Sequence, residues 1–194
     1  MQTFEIPVSI EVRNPVTPNI SSALPPLEQR IVAALYQVAV GAFSTNAASC
    51  RFWTDGIKDA LSSLAEDEQL LCCHSRSIGE WLYDICWVET SENADTASAW
   101  RGARRLRLVC ECEWAEDENN ILWDFMKLAW ANADLRVFIY TNHMKRGQQT
   151  HPVDLCCGNC PPADGARYLF IGFPKHVSDG EQFRVDSWVQ IAKQ

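Results

Sequence analysis

An apolar run that ends in two glutamates, Leu106 to Trp114, constrains this chain more than any other segment. Because side chains on a β-strand alternate between its two faces, Glu111 and Glu113 are predicted to project from one face at the end of that strand. Upstream, the apolar run from Trp81 to Val88 predicts another strand, and Asp84 is the carboxylate within it. Three acids are therefore predicted at positions that apolar residues normally fill.

A helix predicted over Ile121 to Ala131 adds a cation, Lys127, that is able to point inward. Three carboxylates and a lysine within otherwise apolar elements carry a large desolvation cost unless something compensates for it. A divalent metal ion and a phosphate group would provide that compensation.

The chain of 194 residues is long enough for one well-packed domain, and its 47% hydrophobic content excludes a disordered protein. No segment approaches the ~20 apolar residues that span a bilayer, so no membrane association is expected. The first residues lack the basic and apolar regions of a signal peptide. The nine cysteines are odd in number and several lie in predicted core strands, which indicates free thiols in a reducing compartment. We therefore expect a cytoplasmic protein.

The formal net charge of −8 argues against sequence-independent adhesion to DNA, which depends on phosphate neutralisation by Lys and Arg. It does not exclude an enzyme that acts on nucleic acid, because a metal site contributes acids and basic groups can cluster locally. Arg101 to Arg107 is such a cluster, just before the glutamate strand, and Lys145-Arg146 is a smaller one. Trp100 and Trp114 are candidate base-stacking surfaces.

The order of predicted elements indicates a single α/β domain over residues 1–194, with a mixed central sheet flanked by helices. Its core, at about 50–141, reads helix, three strands, helix, strand. An N-terminal strand and helix (1–45) precede the core, and a cysteine-rich loop with a C-terminal β extension (142–194) follows it. The predicted helices are 25–41, 54–65 and 120–132; the predicted strands are 70–74, 79–89, 105–114, 135–141, 168–173 and 183–192; residues 142–166 are predicted as loop.

These residues resemble the PD-(D/E)XK, or restriction-endonuclease-like, nuclease superfamily. Its members share a core of helix, three strands, helix and strand, with an acid on the second core strand and an acid-x-lysine triplet on the third. Here Asp84 corresponds to the first acid and Glu111 to the second, while Glu113 stands where the lysine is usual. Some members carry the lysine on the following helix instead, where this chain has Lys127.

The resemblance implies a Mg²⁺-dependent nuclease that hydrolyses phosphodiester bonds of DNA. Asp84 and Glu111 would hold Mg²⁺ or Mn²⁺, with the carbonyl of Cys112 as a further ligand. Glu113 would bind a second metal ion or accept a proton, and Lys127 would orient the attacking water or stabilise the developing charge. Many relatives of this fold dimerise to cut two strands, so the resemblance allows a homodimer, although no interface is identified in the sequence.

Structural interpretations of the same residues stay open. Asp84 could cap a neighbouring turn, and the two glutamates could pair with Arg104 or Arg107 across the sheet. A catalytically silent member of the same fold, acting through protein contacts, would look similar, and the acidic charge and the missing triplet lysine favour it. In the nuclease interpretation, Glu28 or Glu66 would add an outer contact to the site.

The C-terminal cysteine loop is a second candidate metal site. Cys156, Cys157 and Cys160 lie near His151, and the segment Cys72-Cys73-His74 would complete a tetrahedral zinc site if the fold brought it close. A zinc-stabilised binding protein and a variable loop with unligated thiols are the two interpretations of this segment.

Overall fold

A computed structural model describes residues 10–12, 24–45, 49–91, 102–142, 150–159, 166–174 and 183–189 of the chain. Within these residues the protein is α/β, with a mixed seven-stranded sheet between two layers of helices. The helices are α1 (Pro26–Thr45), α2 (Cys50–Asp67), α3 (Glu118–Ala129) and α4 (Pro152–Asn159). The strands are β1 (Ile10–Val12), β2 (Leu71–Cys73), β3 (Ile85–Thr90), β4 (Ala103–Glu113), β5 (Ala133–Thr141), β6 (Arg167–Phe173) and β7 (Phe183–Val189).

The sheet has the strand order β1-β7-β6-β5-β4-β3-β2. Strands β2, β3 and β4 form an antiparallel meander, whereas β4, β5 and β6 run parallel to one another. Strand β7 is antiparallel to β6, and β1 is antiparallel to β7. The connection from β4 through α3 to β5 therefore places the carboxyl ends of β4 and β5 at one edge, beside the amino end of β3.

The alternation of side chains along β4 decides which residues each helical layer covers. Leu108 and Cys110 pack into the core under α1 and α2, whereas Val109 packs into the core under α3 and α4. Glu111 comes two residues after Val109 and therefore points to the same face of the sheet, the one covered by α3. It lies opposite Phe138 of β5. Glu113 lies opposite Tyr140, which belongs to the same core as Phe138, so the predicted common face of the two glutamates is confirmed.

Helix α3, which carries Lys127, is capped at its N-terminus by Asp117. The Asp117 carboxylate accepts hydrogen bonds from the backbone N–H groups of Asn119 and Asn120 and so satisfies donors that the first turn leaves open. The buried side chains Ile121, Phe125 and Leu128 then recur at helical spacing and fix the helix against the sheet.

The order of the predicted core is confirmed, because α2, β2, β3, β4, α3 and β5 follow one another as helix, three strands, helix and strand. The bounds of the second strand are wrong: residues 79–84 are irregular, and β3 begins only at Ile85. Gly79 has a φ of 113° and its N–H closes a turn onto the carbonyl of His74, which delays the start of the strand. Asp84 therefore lies just before β3 and not within it.

The prediction of loop throughout residues 142–166 is also wrong, because α4 occupies part of that segment. Pro152 suits the first turn of a helix, and Val153, Leu155 and Cys156 are buried against the α3 face of the sheet. Helix α1 continues past the predicted end at Gly41 and reaches Thr45. In the described part of the chain, none of the helices combines the length and the apolar character that a bilayer crossing requires.

A candidate acidic site at the carboxyl end of the central strand

The Asp84 side chain joins the start of β3 to the end of β4. Its Oδ2 atom accepts a hydrogen bond of 2.9 Å from the backbone N–H of Cys112. In the register of the two strands Ile85 is opposite Cys110, so the chain reaches Asp84 beside Glu111. The irregular segment before β3 thus brings a second carboxylate to the buried end of β4.

Glu111 is 1% exposed, yet it carries a carboxylate. Its Oε2 atom accepts a hydrogen bond of 2.7 Å from Nζ of Lys127, while its Oε1 atom has no hydrogen-bond partner among the described residues. Burial, together with the charge of Asp84, raises the pKa of Glu111 to about 8, and the bond to Lys127 opposes that rise. The site therefore contains a buried acceptor atom that still lacks a donor.

Lys127 links the buried glutamate to a second pair of acids. Its Nζ atom lies 2.7 Å from Oδ1 of Asp124, one turn earlier on α3, as well as 2.7 Å from Glu111. Burial acts to lower the pKa of Lys127, but its bonds to Asp124 and Glu111 prevail and raise it, so the side chain is a firm cation.

Glu113 completes this network. Burial and a hydrogen bond with Asp124 raise the pKa of Glu113 to about 7, and its Oε1 atom accepts the backbone N–H of Ala115 at 2.5 Å. The order of contacts is therefore Glu111, Lys127, Asp124, Glu113. Two of these four groups change protonation near neutral pH.

A buried lysine on α2, Lys58, also acts on the site, from a different helix than Lys127. Lys58 is 5% exposed, and its Nζ atom donates to Oγ of Ser75 at 2.7 Å and to Oε1 of Glu80 at 3.1 Å. Burial raises the pKa of Asp84, whereas the Cys112 N–H and the charges of Lys58 and Lys127 act to lower it. Asp84 thus lies within the electrostatic reach of ammonium groups from two helices.

The donor set suits a hard cation only in part. The described part of the chain has no cluster of three or more His, Cys, Asp or Glu side chains arranged to hold a metal ion. Mg²⁺, however, is commonly bound through one or two protein carboxylates together with water and substrate phosphate. Asp84 and Glu111 supply that pair, and the partnerless Oε1 atom of Glu111 is a suitable ligand atom. Glu113 is held by Asp124 and Ala115 instead.

Sequence reasoning selected Asp84, Glu111, Glu113 and Lys127; the fold joins Glu111, Lys127 and Glu113 in one network through Asp124 and places Asp84 beside it, bonded to the Cys112 N–H. It missed Asp124 and Lys58. Both carry a local signal, because Asp124 shares a helix face with Lys127 at i,i+3 spacing, and Lys58 sits among the buried positions of α2.

The structural pairings considered for the glutamates are wrong. Arg107 contacts Glu89 and Asp134, not the glutamates at the end of β4. Of the two outer acids, Glu28 pairs with Arg167, and Glu66 is exposed on α2.

The cysteine segment forms no zinc cluster within the described residues, and Cys160 lies outside them. Cys156 is a buried residue of α4, and Nδ1 of His151 accepts the backbone N–H of Val153 at 3.3 Å. In the upstream segment, His74 instead pairs its Nε2 atom with Oγ of Ser62 at 2.8 Å.

The tryptophan predicted as a stacking surface beside this site is packed. Trp114 donates its indole N–H to Oγ1 of Thr54 at 2.9 Å, and its ring meets Phe173 edge-on at 6.0 Å between centroids. Its position is therefore at the edge of the core. Trp100 lies outside the described residues.

No protein-family model, no curated protein and no solved structure matches this chain. The chemistry of the acidic site is therefore the basis on which its function is inferred.

Proposed function

We propose that this protein is a Mg²⁺-dependent nuclease with a restriction-endonuclease-like core, which hydrolyses phosphodiester bonds of DNA. The observation that carries the proposal is the convergence of Asp84, Glu111 and Lys127 at the buried end of β4. The antiparallel meander followed by a helix and a parallel strand supports it, since that element order is the one the resemblance requires.

Asp84 and Glu111 would hold the metal ion. A bound Mg²⁺ supplies Lewis-acid polarisation of the phosphate and lowers the pKa of a bound water. Because a carboxylate ligand must be deprotonated, metal binding competes with the proton that burial favours on Glu111. Binding of the metal is therefore expected to strengthen as the pH rises toward 8, the pKa of Glu111.

Lys127 would stabilise charge on the reacting phosphate. An ammonium group has three N–H donors, and the contacts with Glu111 and Asp124 account for two of them. Its side chain is 36% exposed, so the remaining N–H can reach a phosphate oxygen or a water at the surface of the site. Fixed donors of this kind are worth roughly 100- to 1,000-fold in rate, which is the loss expected for Lys127→Met.

Glu113 would hold or release a proton during the reaction. Its pKa of about 7 is close to that of an efficient general acid or base at neutral pH. The hydrogen bond with Asp124 gives that proton a second carboxylate to which it can move. Glu113→Gln should therefore change the pH profile of the reaction more than its metal requirement.

A second function, a catalytically silent protein of the same fold that binds other proteins, is favoured by two observations. Lys127 already neutralises Glu111, and Glu113 occupies the triplet position where a lysine is usual. Calorimetric titration with Mn²⁺ separates the two functions. Binding that disappears in Asp84→Asn supports the nuclease, and no binding at millimolar Mn²⁺ supports the silent protein.

The proposed activity is tested by incubating plasmid and single-stranded DNA with the protein in Mg²⁺ or Mn²⁺, and again with excess EDTA. We expect cleavage that requires the metal and is lost in Asp84→Asn. Cleavage that persists in EDTA, or that Asp84→Asn leaves unchanged, would contradict the assignment of this site.

A further inference from the structure

A cavity of about 390 Å³ opens at the opposite end of β4 from the acidic site. It lies about 20 Å from Glu111 along the strand, judged from the rise per residue between Arg105 and Glu111. Its volume falls within the range of about 300–1,000 Å³ that small-molecule pockets have. The residues that give the cavity its chemical character are Trp81, Val88, Arg104, Arg105, Asn132 and Asp134.

Arg104 and Arg105 bring two positive charges to the lining of this cavity, and Asp134 brings one negative charge. Arg105 donates its Nε–H to Oδ1 of Asp134 at 2.8 Å, and Oδ2 of Asp134 lies 3.0 Å from Nε of Arg107. Asp134 therefore fixes the orientation of Arg105, whose side chain stays 60% exposed. A guanidinium has five N–H donors, so Arg105 keeps donors for a ligand, and the exposed Arg104 adds more.

An aromatic side chain also lines the cavity. Trp81, which is 47% exposed, and the buried Val88 both belong to the lining. An aromatic side chain on which a nucleobase stacks contributes about 1–3 kcal/mol per base. Asn132 offers both a hydrogen-bond donor and an acceptor, which is what the edge of a base requires.

We propose that this cavity binds a nucleotide, with its base against Trp81 and its phosphate at Arg104 and Arg105. A flat ring and an anionic group are the two features that the walls match, and a nucleotide carries both. The same chemistry is present in a free nucleotide and in one nucleotide of a single strand. This binding is separate from the proposed hydrolysis, because it uses no residue of the acidic site.

The test is binding in EDTA, so that no metal-dependent contact contributes. The probes are thymidine monophosphate, thymidine, 2-deoxyribose 5-phosphate and a fluorescently labelled oligothymidylate, each measured by calorimetry or fluorescence anisotropy. We expect the monophosphate to bind more tightly than thymidine or the sugar phosphate if the source is a free nucleotide. Binding of the oligothymidylate alone identifies a single strand as the source.

The variants are Trp81→Leu and Arg104→Gln, with Arg51→Gln as the matched control, since the Arg51 side chain is 92% exposed on α2. Trp81→Leu should weaken binding of the recognised probe by about 5- to 150-fold, the factor that corresponds to one stacked base. Arg104→Gln should weaken it and reduce its salt dependence, while Arg51→Gln leaves it unchanged.

The proposal is overturned if neither the monophosphate nor the oligothymidylate binds at millimolar concentration. It is equally overturned if Trp81→Leu and Arg104→Gln bind as the wild type does while retaining its thermal unfolding temperature. Asp84→Asn separates this site from the acidic one. It should abolish DNA cleavage and keep nucleotide binding in EDTA, so failure of either function is visible without the other.

Discussion

Lys127 on α3 and Glu111 on β4 form an ion pair, with 2.7 Å between Nζ and Oε2, across the interface between helix and sheet. The two partners differ in exposure, since the glutamate side chain is 1% exposed and the lysine side chain 36%. The ammonium group of Lys127 therefore lies at the surface of the acidic site, and the Glu111 carboxylate is buried behind it. This asymmetry places a charged donor where solvent and a ligand can reach it.

Without Lys127, the buried Glu111 carboxylate has no cation beside it, so the folded protein should be less stable. Above pH 8, where Glu111 is ionised, Lys127→Met is expected to lower the free energy of unfolding by about 1–3 kcal/mol, less than the loss for a fully buried pair because Lys127 is partly exposed. In Glu111→Gln combined with Lys127→Met, most of that loss should be recovered. Urea unfolding of the single and double variants measures both effects. Equal destabilisation of Lys127→Met in the presence and absence of Glu111 would contradict the pairing.

Stability should fall as the pH rises from 4.5, the ordinary pKa of a glutamate, to about 8, the pKa of Glu111. Because the folded pKa is the higher one, the folded protein holds a proton that the unfolded chain releases, and the stabilisation is lost across this interval. Glu113, with a pKa of about 7, contributes in the same direction. Glu111→Gln stays neutral throughout and should show a shallower decline in metal-free buffer. A slope identical to the wild type would mean that Glu111 does not titrate as described.

Two substitutions at Asp84 distinguish its structural contact from its charge. Asp84→Asn keeps an oxygen that can accept the Cys112 N–H, whereas Asp84→Ala leaves that N–H without its acceptor. We expect Asp84→Ala to lose about 1–3 kcal/mol of stability and Asp84→Asn clearly less. Both should lose Mn²⁺ affinity. Intact Mn²⁺ binding in the asparagine variant would remove Asp84 from the metal site.

Arg136 is a structural cation, although it is buried like the charges of the acidic site. It donates to the backbone carbonyls of Leu128, Ala131 and Ala133, where α3 ends and β5 begins. Arg136→Leu should lower the free energy of unfolding by about 3 kcal/mol or more, because several buried carbonyls lose a charged donor. Arg51→Leu, at an exposed position on α2, is the control and should change stability little. Similar losses in both variants would contradict this role.

Two helical glycines should respond in opposite ways to alanine. A Cβ atom at Gly56 would meet Cγ1 of Val38 at 2.7 Å, where α2 packs on α1, whereas at Gly41 it would meet nothing within 4 Å. Gly56→Ala should destabilise by about 1–3 kcal/mol through overpacking. Gly41→Ala should stabilise by up to about 1 kcal/mol, since alanine is the better helix former. Thermal unfolding of both variants decides whether the contact between α1 and α2 is as close as described.

Local periodicity was sufficient to predict the order of the core elements and the common face of Glu111 and Glu113, since both follow from alternation along one strand. Asp84 could not be placed in the same way. Its contact with Cys112 depends on the register of β3 against β4, which contains irregularities at Trp87/Val88 and Glu89/Thr90. The register depends on how two strands pair, so it cannot be predicted from the sequence of either strand alone.

The other differences also arise from tertiary contacts. The short helix α4 is held by the burial of Val153, Leu155 and Cys156, and helices of this length owe their stability to packing. Lys58 occupies a buried position of α2 that an apolar residue usually fills. Its partners Ser75 and Glu80 come from a loop that helical spacing does not reveal.

The most direct test of the central claim is the rate of DNA cleavage in Mg²⁺ by the wild type, Glu111→Gln and Glu118→Gln, purified identically. Glu118 is exposed in the first turn of α3 and serves as the matched control. The proposed site predicts a loss of at least about 100-fold in Glu111→Gln and an unchanged rate in Glu118→Gln. Equal cleavage by all three proteins, or cleavage by none of them, would contradict hydrolysis at this site.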